Sequence, residues 1–216
     1  MIKKIKDIVK DLTTESDKGK IVIVDSGPLE EALNQGDTEP DMRTLGLFTT
    51  IEEEKNAELI HGMLYLHETN RLAKDEEKKR PIDFYISTYG GSADDMFAIY
   101  DVMRQVREET EIHTIGMGKV MSAGVLILAA GTKGARKIGK YCRVMIHSVI
   151  AGSHGSLPNL ANEMEAIQKI HEDYIEALVS ETKMTEEDIK NMLERKVNVY
   201  LSAEEAVELG IADIII

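Results

Sequence analysis

Tryptophan is absent, aromatic residues make up only 5% of the chain, and a single cysteine, Cys142, stands among 216 residues. One thiol excludes an intrachain disulfide and a cysteine-built zinc cluster, and it fits a reducing compartment. No apolar run reaches the roughly 18 residues that a membrane-spanning helix requires. Positive charge is scarce too: 26 Lys and Arg against 39 Asp and Glu leave a formal charge of −13. Such a surface repels phosphate backbones and anionic lipid, which excludes nucleic acid or a membrane as the main partner. The opening MIKKIKDIVKDLTTESDKGK has the basic residues of a signal peptide without its apolar block or cleavage site. A cytoplasmic protein is therefore expected. No Gly-rich Walker loop is present, so any ATP would be used by a partner.

What remains is the composition of a folded globular protein, 43% hydrophobic and 30% charged, long enough to bury roughly 70% of its unfolded surface. The pattern is one of alternation. KIVIVD (20–25) and LGLFT (45–49) read as strands with a Gly, Pro and acid-rich loop between them. Thr50 with Glu53 forms a capping-box signature ahead of Ala57, Ile60, Met63 and Leu64, which predicts a helix ending near Asn70. After the charged connector 71–81, IDFYIST (82–88) is a strand, YGG a tight turn, and Ser92 with Asp95 a box opening the helix ADDMFAIYDVMRQV. EIHTIGM (111–117), RKIG and CRVMIH follow as strands. A long helix from about Pro158 to Thr182 carries Leu160, Met164, Ile167, Ile170, Tyr174 and Leu178 on one stripe. Two short helices come last, boxed by Thr185/Asp188 and Ser202/Glu205, with Gly210 closing the second. Strands separated by helix-length segments predict right-handed parallel crossovers and an α/β fold.

Three places on this frame carry chemistry. The turn TYGGS joins a strand to a helix N-terminus, where free backbone N–H groups gather and glycine admits a close partner. Ser122 precedes the apolar segment AGVLILAAG; by itself a serine there reads as a helix N-cap. His147 closes the apolar strand RVMIH, from which an imidazole can face a cleft. The other histidines lie on amphipathic helices (His61, His67, His171), in a strand (His113) or in a Gly/Ser loop (His154). No pair has the spacing of a zinc site, so neither a metal nor another cofactor is expected.

Taken in order, YGGSADDMFAIYDVM, IGMGKVMSAGVLILAAGTKGARKI, RVMIH, AGSHGS and YLSAEEAVELGIADIII resemble the Clp protease proteolytic subunit (ClpP) family over roughly residues 45–216. The resemblance implies the ClpP/crotonase-like fold, repeated ββα units with a protruding handle helix. It implies a serine endopeptidase domain at 45–216, preceded by a divergent segment, 1–44, in the place of the family's axial, gating region. Carried over residue by residue, it makes Ser122 the nucleophile and His147 the general base. The backbone N–H groups of Gly91 and Ala123 become the oxyanion donors. Gly90, Ser92, Gly152, Ser153 and Gly155 fall in the substrate-binding segments, with Gly152 and Gly155 flanking an edge strand that pairs with substrate. The family cleaves unfolded polypeptide inside a homo-oligomeric chamber of heptameric rings, one or two stacked, fed by an AAA+ unfoldase.

The chain departs from the pattern in ways that bear on function. Where the family has its triad aspartate, four residues before the serine of LSA, this chain has Asn198. An asparagine carbonyl can hold the imidazole but brings no charge to an imidazolium, so a slow Ser122–His147–Asn198 triad is expected. Glu194 is the nearby acidic alternative. The acid–arginine pair that joins stacked rings is replaced by Lys196 and Val197, the turn proline is Tyr89, and Ser148 and Val149 follow the histidine in place of proline. Residues 1–40 do not resemble the unfoldase-docking segment. Three further readings stand beside the leading one. A catalytically silent ring subunit would not label at Ser122. A crotonase-type acyl-CoA enzyme would tolerate Ser122→Ala. A dedicated processing protease, such as a viral capsid protease, would gain nothing from a generic unfoldase.

Overall fold

The computed structural model describes residues 42–73, 79–194 and 198–216, all within the unit Met42–Ile216. The strand expected at 20–25, most of the segment 1–44, and Lys196 and Val197 lie outside the described residues. Among the described residues, seven strands form one sheet: β1 (Thr44–Leu47), β2 (Ile82–Thr88), β3 (Ile112–Met121), β4 (Lys137–Ile138), β5 (Arg143–Ile146), β6 (Val199–Leu201) and β7 (Ile214–Ile215). Among the same residues six helices accompany them: α1 (Glu53–Leu72), α2 (Ala93–Val106), α3 (Ala123–Ala129), α4 (Leu157–Glu181), α5 (Glu186–Glu194) and α6 (Ala203–Glu208). The α/β class expected from the alternating pattern is what is found.

The strands β1, β2 and β3 run parallel, and β3 then forks. Its first half pairs with β4, which pairs with β7, while its last residues pair with β5. Among the described strands only β6 runs antiparallel, against β5. The alternation in β2 does what its period demands: Ile82, Phe84, Ile86 and Thr88 are buried on one face. Every residue of α3 is buried, so this apolar helix is the centre of the core. It packs against β3, α2 and α4, close enough to β2 that a methyl group on Gly124 would lie 2.5 Å from Thr88 Cγ2.

Buried ions clamp the far end of α3. Arg136, 4% exposed, donates to Ala129 O and to Glu181 O, and Arg107 donates to Ala130 O. Arg107 also pairs with the Glu181 carboxylate through both its Nη atoms at 2.9 and 2.6 Å, and Tyr100 donates to the same carboxylate. Arg136 is itself held by Asp213, at 2.8 and 2.6 Å. Two guanidinium groups thus satisfy carbonyls that a helix end leaves open and place positive charge where the helix dipole is negative. Burial of Asp213 works against its ionisation, but the hydrogen bonds from Arg136 and Gly134 outweigh it and hold the carboxyl below its ordinary range.

Several local expectations change. The box Thr50/Glu53 does not form: α1 starts at Glu53 with no side-chain cap, because Ile51 is drawn into a parallel bridge with Gly91. The boxes at Thr185 and Ser202 do form, whereas at Ser92 the hydroxyl caps Asp95 N–H but the return bond is missing, because the Ser92 N–H donates to Ile51 O. The edge strand expected between Gly152 and Gly155 is irregular and fully exposed. No strand among the described residues offers it a ladder, and its glycine-rich sequence has no alternating side chains to pack.

Candidate active site

The strand-to-helix junction between β3 and α3 is the one place among the described residues where a non-glycine residue takes a positive φ, Ser122 at 54° with ψ −125°. Such a backbone costs about 1–3 kcal/mol and persists only when its surroundings over-determine it. The surroundings are visible. The Ser122 N–H donates to Met145 O on β5 at 2.8 Å. The Ser122 carbonyl accepts from Val125 N–H at 3.0 Å and from the Tyr174 hydroxyl at 3.3 Å. The expectation of a plain N-cap fails, since the Ser122 side chain makes no cap hydrogen bond. The sharp turn instead lifts the hydroxyl out of the helix axis and leaves it uncommitted. This is the geometry of a nucleophile elbow.

The Gly90–Gly91 turn lies against that serine. Gly90 has φ 100°, and a Cβ there would meet Ser122 Cβ at 2.6 Å and Met121 O at 2.9 Å. Gly91 is pinned from the other side. Ile51 N–H donates to Gly90 O, Ser92 N–H donates to Ile51 O, both at 2.9 Å, and a Cβ on Gly91 would lie 2.1 Å from Ile51 O. Among the described residues the N–H groups of Gly91 and Ala123 have no acceptor. Both residues line the same cavity as Ser122.

That cavity, about 310 Å³, is also lined by His147, Ser92, Val149 and Tyr174. His147 is half-buried, and its Nδ1 lies 2.5 Å from Ser148 O. A carbonyl at that distance requires the proton on Nδ1, which leaves Nε2 with a free lone pair. No hydrogen bond among the described residues joins His147 to Ser122 or to Asn198. Asn198 is exposed and stands just before β6. The β5–β6 register pairs Val144 with Leu201, Met145 with Tyr200 and Ile146 with Val199. Carried one residue further, it sets Asn198 opposite His147. Glu194 ends α5 on the surface.

Ser122, Ala123, His147, Gly91 and Ser92 therefore share one cavity, with Gly90 buried beneath the serine, whereas Gly152, Ser153 and Gly155 stand outside it. Tyr89, exposed beside the glycines, takes a cation–π contact from Lys119, with Nζ 4.5 Å from the ring centroid. Sequence reasoning passed over Tyr174, read only as part of a helical stripe. The available signal was that a buried tyrosine hydroxyl needs a partner. Burial pushes this phenol well above its ordinary range. No group of three or more His, Cys, Asp or Glu among the described residues could hold a metal ion, and no described helix is long and apolar enough to cross a membrane.

A family model, Clp protease, matches residues 39–216. Among curated proteins, the ATP-dependent Clp protease proteolytic subunit 2 of Parasynechococcus marenigrum is 30% identical over 196 residues, 91% of this chain and 94% of the relative. Proteolytic subunit 1 of Prochlorococcus marinus subsp. pastoris is 34% identical over 141 residues, 65% of this chain and 70% of the relative. The ATP-dependent Clp protease proteolytic subunit of Oltmannsiellopsis viridis is 32% identical over 171 residues, 79% of this chain and 82% of the relative.

Proposed function

The chain belongs to the Clp protease family, and from that premise we propose that it is a serine endopeptidase in which Ser122 is the nucleophile and His147 the general base. The observation that carries the proposal is the strained Ser122 turn, facing one cavity with His147 and with the unpaired N–H groups of Gly91 and Ala123. His147 Nε2 takes the Ser122 hydroxyl proton as Oγ bonds to the scissile carbonyl carbon. The carbonyl oxygen becomes an oxyanion held by the two N–H groups. Collapse breaks the C–N bond, and the imidazolium returns its proton to the leaving amine. Water then attacks the acyl-enzyme, again losing a proton to His147, and the carboxylic acid is released as Oγ recovers its hydrogen. Loss of one oxyanion donor in such a site costs about 10²–10³ in rate.

Asn198 is assigned as the third member, its side-chain carbonyl accepting the hydrogen bond from His147 Nδ1–H that Ser148 O now accepts. The β5–β6 register supports this: it pairs Ile146 with Val199, the residues next to His147 and Asn198. The exchange requires a small movement of the ring, and the peptidase is slow until it occurs. Substrate is unfolded polypeptide, its backbone lying against Gly90 and Ser92 on one side and against the exposed 152–155 segment on the other. That segment lacks a strand partner among the described residues, and a bound peptide supplies one. The working form is a ring-shaped homo-oligomer enclosing a chamber. An AAA+ ATPase delivers substrate to it, in keeping with relatives named as ATP-dependent.

One observation favours a second reading, a silent ring subunit: His147 is turned to Ser148 O, with no bond to Ser122. The test is intact mass after exposure to a fluorophosphonate, with Ser122→Ala as control. Ser122 Oγ bonds to phosphorus, fluoride departs, and the hydroxyl proton passes to His147. One adduct on the parent and none on the variant is the expected result. A folded, assembled parent that takes no adduct overturns the enzyme in favour of the silent subunit.

A further inference from the structure

Tyr174 is 5% exposed, and its hydroxyl has one hydrogen-bond partner among the described residues, the Ser122 carbonyl. We propose that Tyr174 is a positioning residue for the nucleophile: its hydroxyl tethers α4 to the strained Ser122 peptide and holds the serine in its reactive orientation. The proposal rests on Ser122 being the nucleophile.

Three contacts fix the Ser122 backbone, and they come from three different places. Met145 O holds the N–H from β5, the strand that leads directly to His147. Val125 N–H holds the carbonyl from within α3, as any first turn would. The Val125 bond does not select the backbone rotation observed, because an ordinary helix start at φ near −60° also presents its carbonyl to the third residue on, and the Met145 bond holds the N–H side of Ser122 and not the peptide that follows it. The Tyr174 hydroxyl approaches the same carbonyl from α4, 52 residues away, and uses its second lone pair. Releasing that bond leaves a buried phenol without a partner and lets the Ser122–Ala123 peptide rock. Rocking displaces the Ala123 N–H, which belongs to that peptide, and turns the Ser122 Cα from which the hydroxyl hangs. The ring of Tyr174 also walls the cavity beside Ser122, so substitutions must separate the hydroxyl from the ring.

Tyr174→Phe removes the hydroxyl and keeps the ring. Measured on the full-length assembled protein, the maximal rate of fluorophosphonate labelling should fall about 5-fold, the worth of one neutral hydrogen bond. The half-saturating probe concentration and the midpoint of the pH–rate profile should stay where they are, because neither the cavity wall nor the base is altered. Tyr174→Met, which fills the space with a flexible apolar chain, should show the same fall in maximal rate whatever its effect on half-saturation. An unchanged maximal rate in either folded variant overturns the proposal. So does a change confined to half-saturation, which would make Tyr174 a wall of the cavity and nothing more. A parent that labels at no residue, or labels equally well as Ser122→Ala, instead overturns the assignment of the nucleophile.

Discussion

If the turn at Ser122 stores backbone strain, removing the Cβ should stabilise the fold, which is the reverse of the usual effect of glycine. The comparison to make is Ser122→Gly against Ser122→Ala, since both lack the hydroxyl and differ only in the Cβ. At an ordinary helix or strand position glycine is less stable than alanine by about 0.5–1 kcal/mol, because the unfolded chain gains freedom. At φ 54° and ψ −125° alanine keeps the strain, about 1–3 kcal/mol, and glycine sheds it. The two effects oppose each other, and the net expectation is that Ser122→Gly exceeds Ser122→Ala by about 1 kcal/mol. For a chain of this size that is roughly 2–4 °C in Tm. Urea unfolding followed by circular dichroism measures it, with equal m-values required so that the midpoints report stability alone. A glycine variant less stable than the alanine variant by the ordinary 0.5–1 kcal/mol would refute the argument and mean that the turn is relaxed. The same outcome would remove the main physical support for an elbow at this position.

Three further outcomes are expected. Asn198→Asp should raise peptide hydrolysis by about tenfold, because a carboxylate opposite His147 stabilises the imidazolium; steady-state kcat on a fluorogenic peptide checks it, and a fall would mean that the site is tuned to the amide. Asp213→Asn should cost about 3 kcal/mol at neutral pH by leaving the buried Arg136 without its counter-ion. The Asp213 carboxyl is held below its unfolded value, so its contribution is present above the unfolded pKa and is lost as pH falls through the folded one. Urea midpoints of parent and variant should therefore converge in acid. Cys142 is buried and its thiol is pushed up to about 11, so iodoacetamide at pH 8 should modify it only after denaturation; mass spectrometry of native and unfolded samples decides.

Most of the local structure was legible in the sequence. The alternation of Ile82, Phe84 and Ile86, the side-chain cap at Ser92, the boxes at Thr185 and Ser202, and the unbroken apolar run after Ser122 each act over a few residues, and each formed. The order of motifs around Ser122 and His147 was sufficient to indicate the family that residues 39–216 match. Where the local reading failed, a distant partner had intervened. Thr50 and Glu53 carry a sound helix start, yet the bridge from Ile51 to Gly91, 40 residues on, outweighed it. The strand expected to stop at Met117 continues to Met121 because β5 lies alongside its last residues.

The candidate site divides the same way. A serine, a histidine and a pair of glycines are visible as residue types, but their convergence on one cavity is a product of the parallel β2–β3–β5 arrangement. The antiparallel register of β6 on β5, which reaches His147 and Asn198 only when carried one residue past Ile146 and Val199, is one that a three-residue strand cannot announce. Tyr174 is the clearest case: in the helical stripe it is one more apolar position, and only the packing of α4 against α3 brings its hydroxyl to the Ser122 carbonyl. Hydrophobic period and capping chemistry are encoded within a turn or two of chain, so the sequence by itself determined the elements and their faces. Strain at a single residue, a shared cavity and a cross-strand neighbour depend on contacts between segments far apart in the chain, and those only the tertiary structure decided.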